Sequence, residues 1–272
     1  AGRRGALDRP VGVRHRLPRR RRTPPGAAGA GAAAARVRGP AVAGVRAAGL
    51  LRVATQSAHQ RGQRRGDGVA GVVDSEVQHD VCGLPYLGGR ALKGLLGEEC
   101  ANILFTLEQQ GCVKHWQAPA QRLFGSPGSQ DADQSLMHIG DARLPEELRQ
   151  AVKRGLERGE LTREQVLRSL TAIRRQTAID AKTGAPRQET LRAMRVILRE
   201  APFEAELIFS AEPTSDDLAL LAACVKAWRR TGTGRNRGRG ELSARLYNAQ
   251  GQDITDTHFD HFRSVVRQEA TR

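Results

Sequence analysis

The spacing of apolar residues predicts a series of amphipathic helices through the middle of the chain. Between residues 90 and 107, leucine and isoleucine recur at intervals of three and four positions, as on one face of a helix. Two further helices are predicted at 145–158 and 161–175, where charged residues of both signs surround a narrower apolar stripe. The second of these begins with a capping box, in which Thr162 and Gln165 satisfy each other's backbone N–H groups.

Strand patterns alternate with these helices. Residues 203–212, FEAELIFSAE, alternate strictly between apolar and polar, which predicts a half-buried strand. Residues 68–81 predict a strand or an extended loop, and 136–142 predict a short strand. Residues 214–230 combine a Thr/Ser N-cap, two acids in the first turn and a Leu/Ala-rich face, which predicts a well-specified helix. The loop after it leads into another strand, and this mixed order predicts an α+β domain.

Composition divides the chain into two regions. Residues 1–66 contain sixteen Arg, no Lys and one acid, Asp8, so the whole formal net charge of +15 lies there. With few large apolar residues, this region is expected to be disordered. It can bind nucleic acid through its charge, but its Arg, Ala, Gly and Pro content is also typical of GC-rich DNA translated outside the native reading frame. We predict a folded domain at 67–272 with an insertion at about 108–190.

The cysteines suggest a reducing compartment. Four Cys residues are unevenly spaced, and neither a signal peptide nor a membrane span is visible, so reduced thiols and a cytoplasmic location are expected. Cys112 and His115 have a C-x-x-H spacing, and Cys100 lies twelve residues earlier. Zinc binding by this set is one interpretation. Buried structural thiols are the favoured one, because a fourth ligand is not evident.

A glycine- and arginine-rich segment, TGTGRNRGRG at 231–240, is the strongest chemical signal. Its glycines allow close approach of a ligand to the backbone, and Arg235, Arg237 and Arg239 offer forked donors to phosphate oxygens. The segment fits neither a Walker A loop nor a dinucleotide fingerprint. Aromatic residues form only 4% of the chain, so we expect backbone contacts rather than base stacking.

A second candidate anion site is GLPYLGGRALKG at 83–94. Its glycines form a turn that leads into the helix predicted from residue 90, and a helix N-terminus favours a bound anion. Gly88 and Gly89 would present N–H groups there, with Arg90 and Lys93 beside them.

Five segments together resemble the CRISPR-associated RAMP superfamily, in particular the backbone subunits of type III effector complexes. GLPYLGGRALKG resembles the family motif G-h-P-Y-h-P-G-S-S-L-K-G, and VVDSEVQHD resembles the segment before it. The segments RLFGS with HIGDARLP, TAIDAKTGAP with FEAELIFS, and GTGRNRGRGEL follow in the family's order. The resemblance covers about residues 68–250. It departs from the family at Leu87–Arg90, where the family has Pro-Gly-Ser.

The resemblance implies a ferredoxin-like, RNA-recognition-type core that binds a CRISPR guide RNA, target single-stranded RNA, other effector subunits and copies of itself, away from any membrane. In the cleaving members of the family, an Asp before the G-h-P-Y motif supports metal-dependent cleavage of target RNA. By position this residue is Asp74, with Asp80 as the alternative, and the cofactor would be Mg²⁺. His79 is a candidate general base.

Two alternatives to this metal-dependent endoribonuclease remain. One is a non-catalytic RNA-binding subunit of the same complex, in which Asp74 only caps a loop. The other is a ribonuclease that processes the guide precursor. The family also has a core strand before the Asp74 segment, but residues 45–66 show a poor strand pattern, so a central strand is expected to be weak or missing.

Overall fold

A computed structural model describes residues 47–56, 73–125, 135–233 and 239–271. The strands are β1 (Ala47–Thr55), β2 (Met137–Ile139), β3 (Thr171–Gln176), β4 (Arg192–Ile197), β5 (Pro202–Phe209) and β6 (Leu242–Asn248). The helices are α1 (Gly89–Gln109), α2 (Lys114–Phe124), α3 (Glu146–Glu157), α4 (Arg163–Leu170), α5 (Ser215–Ala227) and α6 (Thr255–Ala270). The predictions for residues 1–46 and 57–66 and for Arg235 and Arg237 lie outside the described residues.

The main sheet has the strand order β2, β5, β1, β6, and each neighbouring pair is antiparallel. Helix α1 lies between β1 and β2 in the chain, and α5 lies between β5 and β6. A strand–helix–strand repeat with this strand order is the ferredoxin-like arrangement. The predicted α+β class and ferredoxin-like core are therefore confirmed. Strand β2, although inside the predicted insertion, belongs to the main sheet.

Strand β1 lies in the region predicted to be disordered, so that prediction is wrong for residues 47–55. The side chains of Leu51, Val53 and Thr55 alternate on the buried face of the sheet. Arg52 faces outward between them, and its Nε lies 2.9 Å from Glu204 Oε1 of β5. The strand therefore has the two-residue period of a half-buried strand. Its short alternation is hidden when composition is averaged over the whole Arg-rich region.

The core lies between the inner face of this sheet and the helices α1 and α5. Helix α5 is buried on nearly every side, because α1, α2 and α6 also pack against it. Its predicted N-cap is confirmed, since Thr214 and Asp217 form a capping box. The Asp217 carboxylate is buried and lies 2.9 Å from Arg122 Nη2 of α2. Within the described ranges, no helix has the length and apolar character that a bilayer crossing requires.

Strands β3 and β4 form a separate antiparallel hairpin. The helix predicted at 161–175 ends at Leu170, and Thr171–Gln176 forms β3 instead. The capping box of Thr162 with Gln165 is confirmed. The helical pattern fails after residue 170 because β3 gains its backbone partners from β4, which comes later in the chain.

Helices α2 and α6 are missing from the sequence-based assignment. Helix α2 contains Pro119, and α6 follows a turn close to the C-terminus. The two helices contact each other through Trp116 and Phe262, whose ring centroids are 4.6 Å apart. The apolar residues of α2 and α6 pack against neighbouring helices and do not form a long amphipathic repeat. The sequence pattern therefore gave no helix prediction for either segment.

Candidate nucleic-acid interface

The segment that carries Asp74 is attached to β4. The Asp74 N–H donates to the Ala193 carbonyl at 2.8 Å, and the Asp74 carboxylate accepts from the Ala193 N–H at 2.7 Å. Ser75 then pairs in parallel with Met194. Asp74 itself is exposed, and only one of its carboxylate oxygens accepts a hydrogen bond from a described residue. The loop position is therefore fixed, while the carboxylate remains accessible.

A buried cation stabilises the same segment from the other side. Arg195 of β4 is buried, and its Nε lies 2.8 Å from Glu76 Oε1. Its Nη1 donates to Thr171 Oγ1 at 3.3 Å, which connects the segment to β3 as well. Charged pairs that are shielded from water are sensitive to removal of one partner. Residues 74–76 are thus held along the edge of β4, through an isolated bridge and the Arg195–Glu76 pair.

The Asp80 carboxylate stabilises a turn of the backbone. Its Oδ1 accepts hydrogen bonds from the N–H groups of Cys82 at 2.9 Å and Leu84 at 3.0 Å. A carboxylate that accepts from the backbone two positions later is typical of an Asx turn. His79 is exposed, and its Nδ1 lies 3.2 Å from the Asp80 carbonyl oxygen. Asp80 forms the turn that precedes the GLPY segment, whereas Asp74 does not.

The predicted anion position at the start of α1 already has an internal partner. The Gly89 N–H donates to Asp141 Oδ1 at 2.9 Å, and Asp141 also pairs with Arg143 at 3.4 Å. A Cβ atom at Gly89 would overlap the Ile139 carbonyl oxygen, so glycine allows the close contact with the end of β2. The Gly88 carbonyl accepts from the N–H groups of the first helical turn. The Gly89 N–H is therefore engaged by a carboxylate of the protein.

Lys93 points towards β2 rather than along the surface. Its ammonium group donates to Ser135 Oγ and to the Met137 carbonyl at 2.9 Å. Burial lowers the pKa of Lys93 below its ordinary value, because the charged form loses hydration. Arg90, by contrast, is exposed and forms no hydrogen bond or ion pair with a described residue. Of the two predicted cations, Arg90 is the one available to a ligand.

The loop at 231–240 closes through a backbone hydrogen bond, from the Thr231 N–H to the Gly240 carbonyl at 2.8 Å. Arg239 at its end lies across the hairpin. Its Nη1 lies 3.1 Å from the Met194 sulfur of β4, and its guanidinium faces the side-chain amide of Gln176 in β3. Arg239 therefore attaches the end of this segment to the β3–β4 hairpin.

Two of the three predicted site segments thus meet on one strand. Asp74 contacts Ala193, and Arg239 contacts the next residue of β4, Met194. The contact between Asp74 and Ala193 joins residues 119 positions apart and is not visible in the sequence. Gly89 and Lys93 instead contact β2 and the residues next to it. The sequence analysis also missed Asp141, whose partner is 52 positions away.

The outer face of the main sheet is the surface on which many ferredoxin-like RNA-binding domains stack bases. Here Tyr247 faces outward from β6, but the Arg52 guanidinium covers its ring at 4.4 Å from the centroid. Arg52 is in turn paired with Glu204. At this part of the face the Arg52 charge is therefore paired with Glu204, and the Tyr247 ring is covered and not open for base stacking.

The residues considered as zinc ligands, Cys100, Cys112 and His115, do not come together. The Cys100 thiol lies beside that of Cys224, and Cys112 Sγ donates to the Gln110 carbonyl at 3.3 Å. His115 Nε2 lies 3.0 Å from Asp216 Oδ2. Among the residues that the structure describes, no group of three His, Cys, Asp or Glu side chains could hold a metal ion. The cysteines of this set are buried, in agreement with the favoured interpretation.

Comparisons with known proteins identify the family. The model of the RAMP superfamily matches residues 29–243. No curated protein sequence matches the chain. The fold is similar to that of a chain of the type III-B Cmr-beta bound to cognate target RNA, with a TM-score of 0.52, 14% identity, and coverage of 73% of this chain and 96% of that chain. A chain of the type III-B Cmr-beta in the apo state gives a TM-score of 0.51 and 15% identity, with coverage of 74% and 98%. Because the family model spans well over half of its length, the protein belongs to the RAMP superfamily.

Proposed function

We propose that the protein is a guide-RNA-binding backbone subunit of a type III CRISPR effector complex and that it cleaves complementary target RNA. Family membership and the similarity in fold to chains of type III-B Cmr-beta support the first part. Its partners would be the guide RNA, the target RNA, other subunits of the complex and copies of itself. The meeting of the Asp74 and Arg239 segments on β4 is the observation that carries the proposal.

Asp74 is the proposed catalytic residue. Its carboxylate is exposed and held in place by the Ala193 N–H, whereas the Asp80 carboxylate accepts two N–H groups of its own turn. A fixed carboxylate with an accessible oxygen suits a group that must act on a bound phosphodiester. Arg239, on the adjacent residue of β4, can bind a phosphate oxygen and orient the RNA backbone beside Asp74.

The residues present fit a magnesium ion shared with RNA. Mg²⁺ is commonly held by one or two carboxylates together with substrate phosphates and water. Asp74 has one carboxylate oxygen without a described hydrogen-bond donor, and it would provide the protein ligand. When bound, the ion supplies positive charge that offsets the charge developing at the scissile phosphate. His79, exposed in the same loop, is the candidate for accepting a proton from the 2′-hydroxyl.

A non-catalytic RNA-binding subunit is the second candidate. The hydrogen bond between Asp74 and the Ala193 N–H is what favours it, because this bond alone gives the carboxylate a role in holding the loop. A ribonuclease that processes the guide precursor is the third. These candidates differ in which RNA is cut and in whether Asp74 acts on it.

The test is cleavage of complementary RNA by the assembled, guide-loaded complex with Mg²⁺. Asp74→Asn removes the charge but keeps an oxygen that can accept from Ala193, so it separates chemistry from loop structure. We expect this variant to bind target RNA normally and to lose cleavage by at least about a hundredfold. Asp260→Asn is the matched control, since Asp260 is an exposed acid on α6.

The other outcomes identify the alternatives. Loss of cleavage with Asp80→Asn but not with Asp74→Asn would move the catalytic role to Asp80. Absence of target cleavage by the unmodified complex, with target binding intact, would favour the non-catalytic subunit. Cleavage of the guide precursor in place of the target would favour the processing ribonuclease.

A further inference from the structure

An ion pair that is largely shielded from water lies two residues from Asp74 along the chain. The side chains of Arg195 and Glu76 are 11% and 26% exposed, and the Arg195 Nε lies 2.8 Å from Glu76 Oε1. Ser75, between Asp74 and Glu76, forms the bridge to β4. The pair therefore joins β4 to the same short segment that carries the Asp74 carboxylate.

Both members of the pair are fixed by further contacts. The Glu76 Oε1 that faces Arg195 also accepts the N–H of Val77 at 3.0 Å, and Val77 is buried in the core. On the other side, Arg195 Nη1 donates to Thr171 Oγ1 at 3.3 Å. That hydroxyl donates to the Leu167 carbonyl in the last turn of α4. One guanidinium thus connects Glu76 to the junction of α4 and β3.

The other attachments of the segment to β4 are hydrogen bonds along the strand edge. The Asp74 N–H donates to the Ala193 carbonyl, and the Arg195 N–H donates to the Ser75 carbonyl at 2.9 Å. Single hydrogen bonds contribute little net free energy, because water competes for the same groups. Losing one partner of a shielded ion pair is far more costly, because it leaves an unpaired charge away from water. The ion pair is therefore the contact that most strongly opposes release of the segment.

We infer that Glu76 and Arg195 are a positioning pair, which holds the Asp74 carboxylate in place on β4 and acts on RNA only through Asp74. Its effect on cleavage rests on the proposed function, in which Asp74 is the catalytic residue. A displacement of about 1 Å in a reacting group can cost about a hundredfold in rate. Loss of a group that orients a metal-binding side chain typically costs about ten- to a hundredfold.

The test combines cleavage by the assembled, guide-loaded complex with amide hydrogen exchange of the full chain without RNA. Glu76→Gln removes one charge of the pair and keeps the size of the side chain. We expect target cleavage to slow by about ten- to a hundredfold, with target binding unchanged. Half-maximal cleavage should need more Mg²⁺, because Asp74 spends less time in position. The Asp74 and Arg195 amides should exchange faster, because their N–H groups attach the segment to β4.

Glu164→Gln is the matched control, because Glu164 also pairs with an arginine, Arg168, but on the exposed surface of α4. It should leave cleavage, the Mg²⁺ requirement and exchange at Asp74 unchanged.

The double variant Glu76→Gln/Arg195→Gln separates positioning from the penalty of an unpaired charge. It leaves no charge at the pair, so its unfolding midpoint should recover towards that of the unmodified protein. Its cleavage should stay slow and its exchange at Asp74 fast, because no ion pair holds the segment. If Glu76→Gln alone does not fold, the double variant decides the question.

Normal cleavage and normal exchange in the double variant would overturn the inference, because only the unpaired charge would then have mattered. So would a folded Glu76→Gln variant that matches Glu164→Gln in every measurement. If the unmodified complex does not cleave target RNA, the proposed function fails. Faster exchange at Asp74 in Glu76→Gln, with normal exchange in Glu164→Gln, would still uphold the pair as what positions Asp74.

Discussion

The Asp141 carboxylate caps helix α1 by accepting the Gly89 N–H at 2.9 Å, although the two residues lie 52 positions apart. A helix N-terminus attracts anions because its first N–H groups have no partner within the helix. In this protein an acidic residue from the segment after β2 provides that anion. At Gly89 the GLPYLGGRALKG turn therefore connects α1 to the end of β2. Arg90 is the exposed cation of this turn.

Removing this cap should destabilise the protein. Asp141→Ala is expected to lower the free energy of unfolding by about 1 kcal/mol, the usual effect of losing an N-terminal cap. Asp141→Asn should have a smaller effect, because its amide oxygen can still accept from the Gly89 N–H. Urea denaturation of both variants measures the difference. Equal losses would mean that the charge of Asp141, which also pairs with Arg143, matters more than the hydrogen bond.

Gly240 is expected to tolerate no side chain. Its φ is +68°, and a Cβ atom there would overlap the Thr231 carbonyl oxygen that faces it. Gly240→Ala should therefore cost about 2 kcal/mol or more, from backbone strain and overlap together. Gly184 has nearly the same φ, +67°, with open space around it, so Gly184→Ala isolates the strain at about 1 kcal/mol. Denaturant melts that show equal losses would contradict the close contact.

The position of β1 can be tested with two adjacent leucines. Leu51 is fully buried on the inner face, whereas Leu50 faces outward towards Glu206 of β5. Leu51→Ala should lower the free energy of unfolding by about 2–5 kcal/mol, and Leu50→Ala by about 1 kcal/mol or less. Thermal or urea unfolding gives both values. Similar small effects would indicate that β1 is not part of the core.

Lys93 should make stability depend on pH. Burial lowers its pKa in the folded protein below the ordinary value of 10.5, so the unfolded chain holds this proton more tightly. Stability therefore rises with pH between the lowered pKa and 10.5 and levels off above it. Lys93→Met removes this contribution.

The measurement is the difference in unfolding free energy between the unmodified protein and Lys93→Met, followed from neutral pH upward. Groups that titrate in both proteins cancel in this difference. The difference should grow in favour of the unmodified protein as pH rises. Parallel curves would show that the Lys93 ammonium is as well hydrated in the folded protein as in the unfolded chain.

Features encoded by neighbouring residues could be predicted from the sequence. Helix α5 was found through its capping box and its apolar face, and β5 through the strict alternation of FEAELIFS. Strand β3 could not be predicted in this way, because the pattern of LTREQVLRSLTAIRR is helical throughout. Residues 171–176 form a strand only because they pair with β4, which comes later in the chain. The cap of Gly89 by Asp141 and the attachment of Asp74 to β4 depend on residues far apart in the chain, so local patterns carry no signal for them.

Because β1 lies between β5 and β6 in the sheet, it can pair only after both of these later strands have been synthesised. Strands β5 and β6 end at Phe209 and Asn248. Both edges of β1 therefore stay unpaired until most of the chain has been translated. At ordinary translation rates the interval between synthesis of β1 and synthesis of β6 is roughly 10–40 s. An apolar strand with two open edges is prone to pair with other chains. The yield of folded protein should therefore depend on protection of the nascent LLRVAT segment at the ribosome.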